Sequence, residues 1–260
     1  MFVQDNSVGS TKQYFFNRLE GIFSVTELRL MFNEFLMQRL QLSRTELILA
    51  ENLKLSESDL LYFRACVKRL QANEPFQYII GSTLFYGLEL KCDARALIPR
   101  PETEELVDWI VQDAKNHTFS SIIDFCTGTG CIALALKSSL TTAKVSGYDI
   151  SKKALDLANE NAQLNKLDVA FLPMDVLQLL ATDFLNEKVD VIVSNPPYIA
   201  HDDPHLVALA QERSKLNAVP PPASRGTWSG ALGRPASFVV GVPPRQRPVS
   251  RSSRKPSQLS

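Results

Sequence analysis

The tetrapeptide Asn195-Pro196-Pro197-Tyr198 carries the residue types in this chain that are best suited to chemistry. It follows Val191-Ile192-Val193, a β-branched run that predicts a short buried strand. The prolines lack N–H groups and fix φ, so the strand must stop and a stiff hook must follow. In this hook the Asn195 amide oxygen and the Pro196 carbonyl can accept hydrogen bonds, and Tyr198 offers a flat aromatic face.

A planar group that carries an NH2 fits such a hook. An amide or aromatic amine is a poor nucleophile because its lone pair is delocalised, and two acceptors that pull on its hydrogens favour the pyramidal nitrogen. This arrangement stabilises the charge that develops during attack and needs no general base. The candidate catalytic and substrate-binding residues are therefore Asn195, Pro196, Pro197 and Tyr198. The simpler interpretation is a Pro-Pro turn that only ends a strand.

The hook ends a stretch in which strands and helices alternate, which is typical of a parallel sheet covered by helices. The pattern predicts strands at 121–125, 144–149, 169–175 and 191–193, and helices at 132–140, 152–165 and 176–184. The fold class that follows is α/β. The carboxyl ends of parallel strands meet at one edge of a sheet, so the hook should lie beside the loops that follow the other strands.

A glycine-rich loop lies between the first of these strands and its helix. Gly128 and Gly130 stand in the spacing Gly-x-Gly-x-x-Ala, and Asp149 follows about 20 residues on, at the tip of the next strand. Its carboxylate could hold ribose hydroxyls, while Val176, after the third strand, could edge an adenine. On the loop alone, a nicotinamide dinucleotide and S-adenosylmethionine (SAM) are both candidates. Methyl transfer to a planar nitrogen uses the hook and hydride transfer does not, so the whole set favours SAM.

Upstream, the chain predicts a small helical region. Apolar residues recur at helical spacing between Leu28 and Leu40, and Ser43 and Ser56 are the predicted N-caps of the next two helices. Nothing in this region has the residue types of a catalytic site. Its predicted role is to pack against the sheet domain or to orient a substrate.

A predicted hairpin joins the helical region to the sheet. Glu74-Pro75 ends the last helix, and 78–97 is predicted to be extended because apolar residues alternate at Leu84, Tyr86, Leu88 and Leu90. Pro101 then suits the first turn of a helix. Arg100, just before it, is equally consistent with a structural and a functional role.

These motifs together resemble those of the protein-glutamine N5-methyltransferases of the HemK/PrmC type. The resemblance runs from about Thr11 to Leu206. It is carried by Glu74-Pro75-x-x-Tyr78-x-x-Gly81, Phe85-Tyr86-Gly87-Leu88, Leu97-Ile98-Pro99-Arg100-Pro101-Glu102-Thr103-Glu104, Asp124-x-Cys126-Thr127-Gly128-Thr129-Gly130, Asp149 and Asn195-Pro196-Pro197-Tyr198. It implies a Rossmann-like SAM-dependent methyltransferase domain with a small N-terminal helical domain and a hairpin linker. Such enzymes methylate the glutamine of the Gly-Gly-Gln motif in class 1 peptide chain release factors, which are the implied partners.

The resemblance also implies site residues by position. SAM binding falls to Cys126, Thr127, Gly128, Thr129, Gly130, Asp149, Val176 and Asn195, and the hook residues would grip the glutamine amide. Cys126 stands where many relatives have glycine. Its Cβ restricts the backbone of the loop.

The expected organisation is a helical domain at 1–75, a hairpin linker at 76–98, a truncated methyltransferase domain at 99–206 and a disordered tail at 207–260. The tail is rich in Pro, Arg and Ser, with Glu212 as its one acid, and this composition cannot bury a core. We therefore expect an incomplete sheet whose fourth strand is an exposed apolar edge. The abrupt change suggests a frameshift, a chimeric reading or a truncated gene, with an RNA-binding basic tail as the alternative. A second reading frame that restores strand-like sequence after the Leu206 codon would support the frameshift.

The amino-acid composition and charge narrow the classes of function that remain. Lys and Arg number 28 and Asp and Glu also number 28, so the zero net charge gives no general attraction to nucleic acid or to anionic membranes. The four cysteines form no C-x-x-C pair, and neither a secretory signal nor a membrane-spanning run is present. The expectation is a cytoplasmic monomer that binds no nucleic acid directly. No metal is expected either, because Pro204 separates His201 from His205.

Three other functions stay open at this point. Methylation of a ribosomal-protein glutamine would use the same loop and hook. Adenine-N6 methylation of a nucleic acid uses a similar hook on a flipped base. The third is an inactive truncated fragment.

Overall fold

A computed structural model describes residues 5–176 and 189–196, together with the backbone of two strands at 224–228 and 236–240. The first part of the chain is helical, as its apolar spacing predicts. Its helices are α1 (Val8–Leu19), α2 (Val25–Leu40), α3 (Arg44–Leu49), α4 (Glu57–Gln71) and α5 (Phe76–Ile80), with a short 3-10 turn at Ala50–Asn52.

Serine side chains cap the N-termini of four of these helices, and at three of them the cap is reciprocal. Ser24, Ser43 and Ser56 each accept a hydrogen bond from the third helical residue, whose carboxylate accepts one in return from the serine N–H. The N-caps predicted at Ser43 and Ser56 are therefore confirmed. The helices enclose an apolar core whose largest members are the buried phenylalanines Phe15, Phe32, Phe35 and Phe63.

The extended segment predicted at 78–97 is wrong at both ends. Pro75 is the N-cap of α5 and Gly81, at φ +81°, is its C-cap, so 76–80 forms a short helix instead. Its Ile79 is buried in the helical core. The hairpin itself is real but short, with β1 (Ser82–Phe85) paired antiparallel to β2 (Leu88–Lys91).

The second half of the chain builds the sheet that the alternating pattern predicts. Helix α6 (Pro101–Asp113) starts at Pro101, as expected. The elements that follow are β3 (Ser121–Phe125), α7 (Cys131–Ser139), β4 (Lys144–Asp149), α8 (Lys152–Asn165), β5 (Ala170–Pro173) and β6 (Val191–Ser194). The β3–β4, β4–β5 and β3–β6 pairs are all parallel. The predicted helix at 176–184 lies outside the described residues after Val176.

The expectation that β6 is an exposed edge of an incomplete sheet is wrong. Strand β8 (Ala236–Val240) pairs parallel to β6, and β7 (Ser224–Trp228) pairs antiparallel to β8, which gives the order β5-β4-β3-β6-β8-β7. The prediction of a wholly disordered tail was based on the average composition of residues 207–260. That average hides Phe238-Val239-Val240, a local run of residues that favour strands. The rest of the tail lies outside the described residues.

Strand β3 occupies the centre of the topology. The chain passes from β3 to β4 on one side and later returns to β6 on the other, so the order of strands reverses at β3. A crevice at the carboxyl ends of the strands is expected at such a reversal. Among the described residues, no helix combines the length and the apolarity needed to cross a membrane.

Candidate active site

The carboxyl ends of β3, β4 and β6 lie side by side. Phe125, near the end of β3, is in register with Tyr148 of β4 and with Ser194 of β6. Asp149 is the last residue of β4, and the glycine loop and the hook follow β3 and β6 directly. The sheet therefore brings together the three motifs that sequence spacing predicts to work jointly.

The loop at 126–130 is bent by residues in the left-handed region of φ. Gly128 has φ +55° and Gly130 has φ +80°, and α7 begins directly after Gly130. A Cβ on Gly130 would lie 2.8 Å from Cζ of Phe171, so a larger residue does not fit there. At Gly128 the nearest neighbour of such a Cβ is the Ala96 side chain at 3.9 Å. The backbone at Gly128 is therefore open to the close approach of a ligand.

Cys126 also adopts a left-handed φ of +57°, which L side chains rarely take. Its thiol is half-buried, and burial raises the pKa of this thiol above its ordinary value. The Ser194 hydroxyl lies within hydrogen-bonding reach of the thiol and acts in the opposite direction on the pKa. The restriction that sequence analysis expects from the Cβ of Cys126 is thus seen as a strained backbone angle.

A fully buried carboxyl group supports the loop from beneath. Oδ2 of Asp124 accepts a hydrogen bond from the Thr127 hydroxyl, and Oδ1 has no hydrogen-bond partner among the described residues. Burial raises the pKa of Asp124 to about 7, and the nearby Asp149 carboxylate adds to the rise. Asp124 opens the motif at 124–130, but its sequence context predicts no separate role for it.

Asp149 holds the loop at the tip of β4. Its Oδ2 accepts the Gly128 N–H at 2.9 Å, and its Oδ1 accepts the Ser151 N–H at 2.9 Å at the start of α8. Each carboxylate oxygen can accept a further hydrogen bond. The predicted contact with ribose is compatible with this arrangement and stays a prediction. Val176, the predicted adenine contact, is 38% exposed and is the last residue of its described segment.

The hook is described as far as Pro196. The Ser194 hydroxyl donates to the Phe125 carbonyl at 2.9 Å, which ties the end of β6 to β3. The Asn195 Nδ2 donates to the Thr103 hydroxyl oxygen at 3.3 Å, so the side-chain amide is oriented by α6. Pro197 and Tyr198 lie outside the described residues, as do His201 and His205.

Two neighbours of the site escaped sequence analysis. Thr103 is buried in the first turn of α6 and orients Asn195, and the signal for it was its place inside the Ile98-to-Glu104 motif. Asn161 of α8 bonds to the Thr129 carbonyl in the loop, and no local signal marks it. In the part of the chain that the structure describes, no group of His, Cys, Asp and Glu side chains could hold a metal ion.

The described residues at this edge can bind and align ligands. It offers an open, bent backbone loop, one carboxylate beside it and an oriented side-chain amide. A nucleoside cofactor fits the loop and the carboxylate, and an amide or amine substrate fits the asparagine.

Two family models match the chain. The Methyltransferase small domain matches residues 104–213, and the PrmC N-terminal domain matches residues 18–81. The first match continues beyond Leu206, where sequence analysis ended its resemblance. The two matches lie on either side of the β1–β2 hairpin, in the sheet and in the helical region.

Curated relatives cover much of the same length. A release factor glutamine methyltransferase from Flavobacterium psychrophilum is 38% identical over 219 residues, which are 78% of this chain and 75% of that protein. The enzyme of the same name from Lactococcus lactis is 45% identical over 58% of this chain and 53% of its own length. The enzyme of the same name from Streptococcus pneumoniae is 41% identical over 66% of this chain and 64% of its own length. The chain thus spans three quarters of the first relative and between half and two thirds of the other two.

Solved structures give a weaker likeness. A SAM-dependent methyltransferase from Agrobacterium tumefaciens is 20% identical over 46% of this chain and 40% of its own, with a TM-score of 0.39. This score is too low to bear on function.

Proposed function

The chain belongs to the family of release factor glutamine methyltransferases, and from that premise we propose that it methylates the side-chain amide nitrogen of a glutamine in a class 1 peptide chain release factor, at the Gly-Gly-Gln motif, with SAM as methyl donor. The observation that carries this proposal is the position of Asn195. It follows β6 directly, next to the loop after β3, and Thr103 orients its amide.

The proposed cofactor site uses the loop and two carboxyl-end residues. Cys126, Thr127, Gly128, Thr129 and Gly130 would surround SAM, with Asp149 on the ribose and Val176 near the adenine. When bound, SAM supplies a methyl group that its positively charged sulfur makes electrophilic. The open backbone at Gly128 and the hydrogen bond that fixes Asp149 to the loop support this assignment.

The proposed substrate site is the hook. Because the Asn195 Nδ2 donates to Thr103, its Oδ1 is the atom that would accept from the glutamine NH2, together with the Pro196 carbonyl. These two acceptors would hold the nitrogen with its lone pair available, and the nitrogen would give up one proton to water after it gains the methyl. Pro197 and Tyr198 are assigned to the same site from their sequence alone.

We also propose the sequence-derived domain boundaries at 75, 98 and 206, a monomeric state and a cytoplasmic location, since release factors act on ribosomes. The balanced charge supports a site that does not bind nucleic acid directly. Light scattering on the purified chain tests the monomer, and limited proteolysis tests the boundaries.

The test of the function is a methyl-transfer assay on the full chain, with mass spectrometry to locate the product. The substrates are a class 1 release factor, a ribosomal-protein mixture and adenine-containing DNA. We expect one methyl group on the Gly-Gly-Gln glutamine. A methyl on a ribosomal-protein glutamine or on adenine would overturn the proposed substrate, and no methyl on any of them would overturn the activity of this chain.

The role of Asn195 is tested by Asn195→Ala, which removes one of the two acceptors. We expect the rate at saturating substrates to fall about 10²- to 10³-fold, as for the loss of one preorganised hydrogen bond in other active sites. The dissociation constant of S-adenosylhomocysteine should change much less. Asn159→Ala is the matched control, because the one side-chain hydrogen bond of Asn159 to the described residues goes to the Leu155 carbonyl within α8. A rate for Asn195→Ala equal to that of the control would contradict the assignment.

A further inference from the structure

Asn161 of α8 is fully buried, and within the described part of the chain its side chain bonds only to backbone groups of two distant segments. Its Oδ1 accepts the Lys91 N–H at 2.7 Å. Its Nδ2 donates to the Lys91 carbonyl at 3.2 Å and to the Thr129 carbonyl at 3.0 Å. One buried amide therefore joins strand β2 of the hairpin to the glycine loop.

The hydrogen bond from Asn161 to the glycine loop is made at the Thr129 carbonyl. Thr129 is buried and stands between Gly128 and Gly130, both of which have positive φ. A peptide between two such glycines has few conformational restraints of its own. The hydrogen bond from Asn161 supplies one from outside the loop.

The chain that follows the hairpin also passes over the loop. Arg95 forms ion pairs with Asp93 and with Glu160, the residue that precedes Asn161. The carbonyl of Ala96 accepts the Tyr78 hydroxyl at 2.9 Å, and the Ala96 side chain lies 3.9 Å from a Cβ placed on Gly128. The segment that faces the open side of the loop is thus held by the same turn of α8.

We propose that Asn161 is a positioning residue that fixes the glycine loop against the hairpin and thereby sets the affinity for the cofactor. This inference rests on the proposed function, because it takes the loop at 126–130 as the SAM site. Asn161 itself does not contact the cofactor in this proposal. It acts through the Thr129 peptide.

The three hydrogen bonds explain why other side chains cannot replace this asparagine. Alanine leaves the Thr129 carbonyl without this partner in a buried place, which is costly, and it also removes the part-buried hydrogen bonds to Lys91. Aspartate keeps the acceptor but turns a carboxylate oxygen toward two carbonyls. Asparagine alone among residues of this size combines one acceptor with two donors.

Asn165, one turn further along α8, provides a matched control. Its Nδ2 donates to the Glu89 carbonyl of the hairpin at 2.8 Å and to the Asn161 carbonyl at 3.0 Å. Asn165 therefore also ties α8 to β2, but among the described residues its side-chain amide does not bond to the loop. The difference between the two asparagines is the bond to Thr129.

The experiment compares Asn161→Ala with Asn165→Ala in the full chain. Calorimetry measures the dissociation constant of S-adenosylhomocysteine, and thermal unfolding measures stability. We expect binding to weaken about tenfold or more in Asn161→Ala, and to change less than about twofold in Asn165→Ala. A loss of binding that merely tracks the loss of stability in both variants would overturn the proposal.

Hydrogen exchange provides a readout that needs no ligand. The Gly128 and Gly130 amides should exchange faster in Asn161→Ala than in the wild type, and at the wild-type rate in Asn165→Ala. Equal rates in all three proteins would overturn the inference. If Asn161→Ala does not fold, hydrogen exchange of the wild type with and without S-adenosylhomocysteine tests the inference. Coupling between the loop and the hairpin predicts that the ligand slows exchange of the Lys91 amide. Unchanged exchange at Lys91 would then overturn the inference, whereas a wild type that binds no S-adenosylhomocysteine would instead overturn the proposed function.

Discussion

The helical region and the carboxyl edge of the sheet use buried residues in opposite ways. In the helical region the buried side chains are mainly aromatic and aliphatic. The Phe15 and Phe32 rings lie 5.5 Å apart, and the Phe32 and Phe63 rings lie 5.1 Å apart, within the range of favourable aromatic pairs. Three helices start with reciprocal serine caps. Apart from the left-handed φ angles of Gln41 and Asn73 at helix ends, the local preferences here agree with the packing.

The carboxyl edge instead contains several locally unfavourable features. Asp124 is a buried carboxyl group with one oxygen that lacks a partner among the described residues. Cys126 holds a left-handed φ without being glycine. Asn161 carries a polar amide into a fully buried position. All three lie within or next to the loop that is proposed to bind the cofactor.

The difference indicates that stability and ligand binding come from separate parts of this chain. Strained or buried polar groups persist only where surrounding structure holds them, and they concentrate at functional sites. Three sets of substitutions test whether stability and ligand binding are separate in this way. Each set compares one variant with a second variant that serves as its control.

The largest effect is expected from Phe63→Ala in α4. Phe63 is fully buried against Phe32, so the lost packing and the cavity should lower the free energy of unfolding by about 3–5 kcal/mol. Urea unfolding measures the loss. Leu61→Ala is the control, because Leu61 is 52% exposed on the same helix. At a temperature where the variant is folded, its affinity for S-adenosylhomocysteine should equal that of the wild type. A weakened affinity would contradict the separation.

A smaller effect is expected from the ionisation of Asp124. Its pKa is raised from an ordinary 3.8 to about 7, so the folded protein binds this proton more tightly than the unfolded chain does. The stabilisation is fully present below about pH 4 and is lost as the pH rises through 7. At about 1.4 kcal/mol per pKa unit, the loss is at most about 4 kcal/mol. Asp124→Asn, which cannot ionise, should not show it.

Urea unfolding at pH 4, 5.5 and 7 checks this difference between the wild type and Asp124→Asn. Asp190→Asn is the control on the same sheet, since Asp190 accepts the Ser120 and Ser121 N–H groups at the opposite end of β3 and leaves Asp124 intact. It should keep the pH dependence of the wild type. Parallel curves for wild type and Asp124→Asn would contradict the raised pKa.

The smallest effect is expected at two residues with the same backbone angle. Gln41, at the end of α2, and Cys126 both have φ +57°. Gln41→Gly should stabilise the protein by about 1 kcal/mol, because glycine adopts this angle without strain. Cys126→Gly should stabilise the protein by less, because this variant also loses the contact between the thiol and Ser194. Thermal unfolding measures both, and an equal gain at the two sites would show that this contact contributes nothing.

The regular elements of the sheet could be predicted closely from local sequence. The observed β3, β4 and α8 have the predicted bounds, because β-branched runs, Asp149 and the Ser151 cap mark their ends. The short helix α5 was missed because only one turn lies between Pro75 and Gly81, too short for a helical period to show. β8 was missed because the average composition of the Pro- and Arg-rich tail outweighed its local run Phe238-Val239-Val240, which pairs with β6.

The composition of the site was predictable but its internal support was not. Asp149, the loop and Asn195 follow strands, and the rule for parallel sheets brings them to one edge. Thr103 and Asn161 act through contacts that join residues 92 and 70 positions apart in the chain. Hydrogen bonds of this kind depend on the packing of α6 and α8 against the sheet, which local patterns do not specify.

The ring of Phe171 restricts which substitutions evolution can accept around the loop. A Cβ on Gly147 would meet Phe171 Cδ1 at 2.6 Å and the Thr127 hydroxyl at 2.7 Å, and a Cβ on Gly130 would meet the same ring. Gly147 has no positive φ, so space alone excludes a larger residue there. A descendant or homologue with alanine at position 147 should therefore carry smaller residues at both 171 and 127. Substitutions at positions 127, 147 and 171 should therefore occur together in related sequences, while the positions next to them in sequence vary independently.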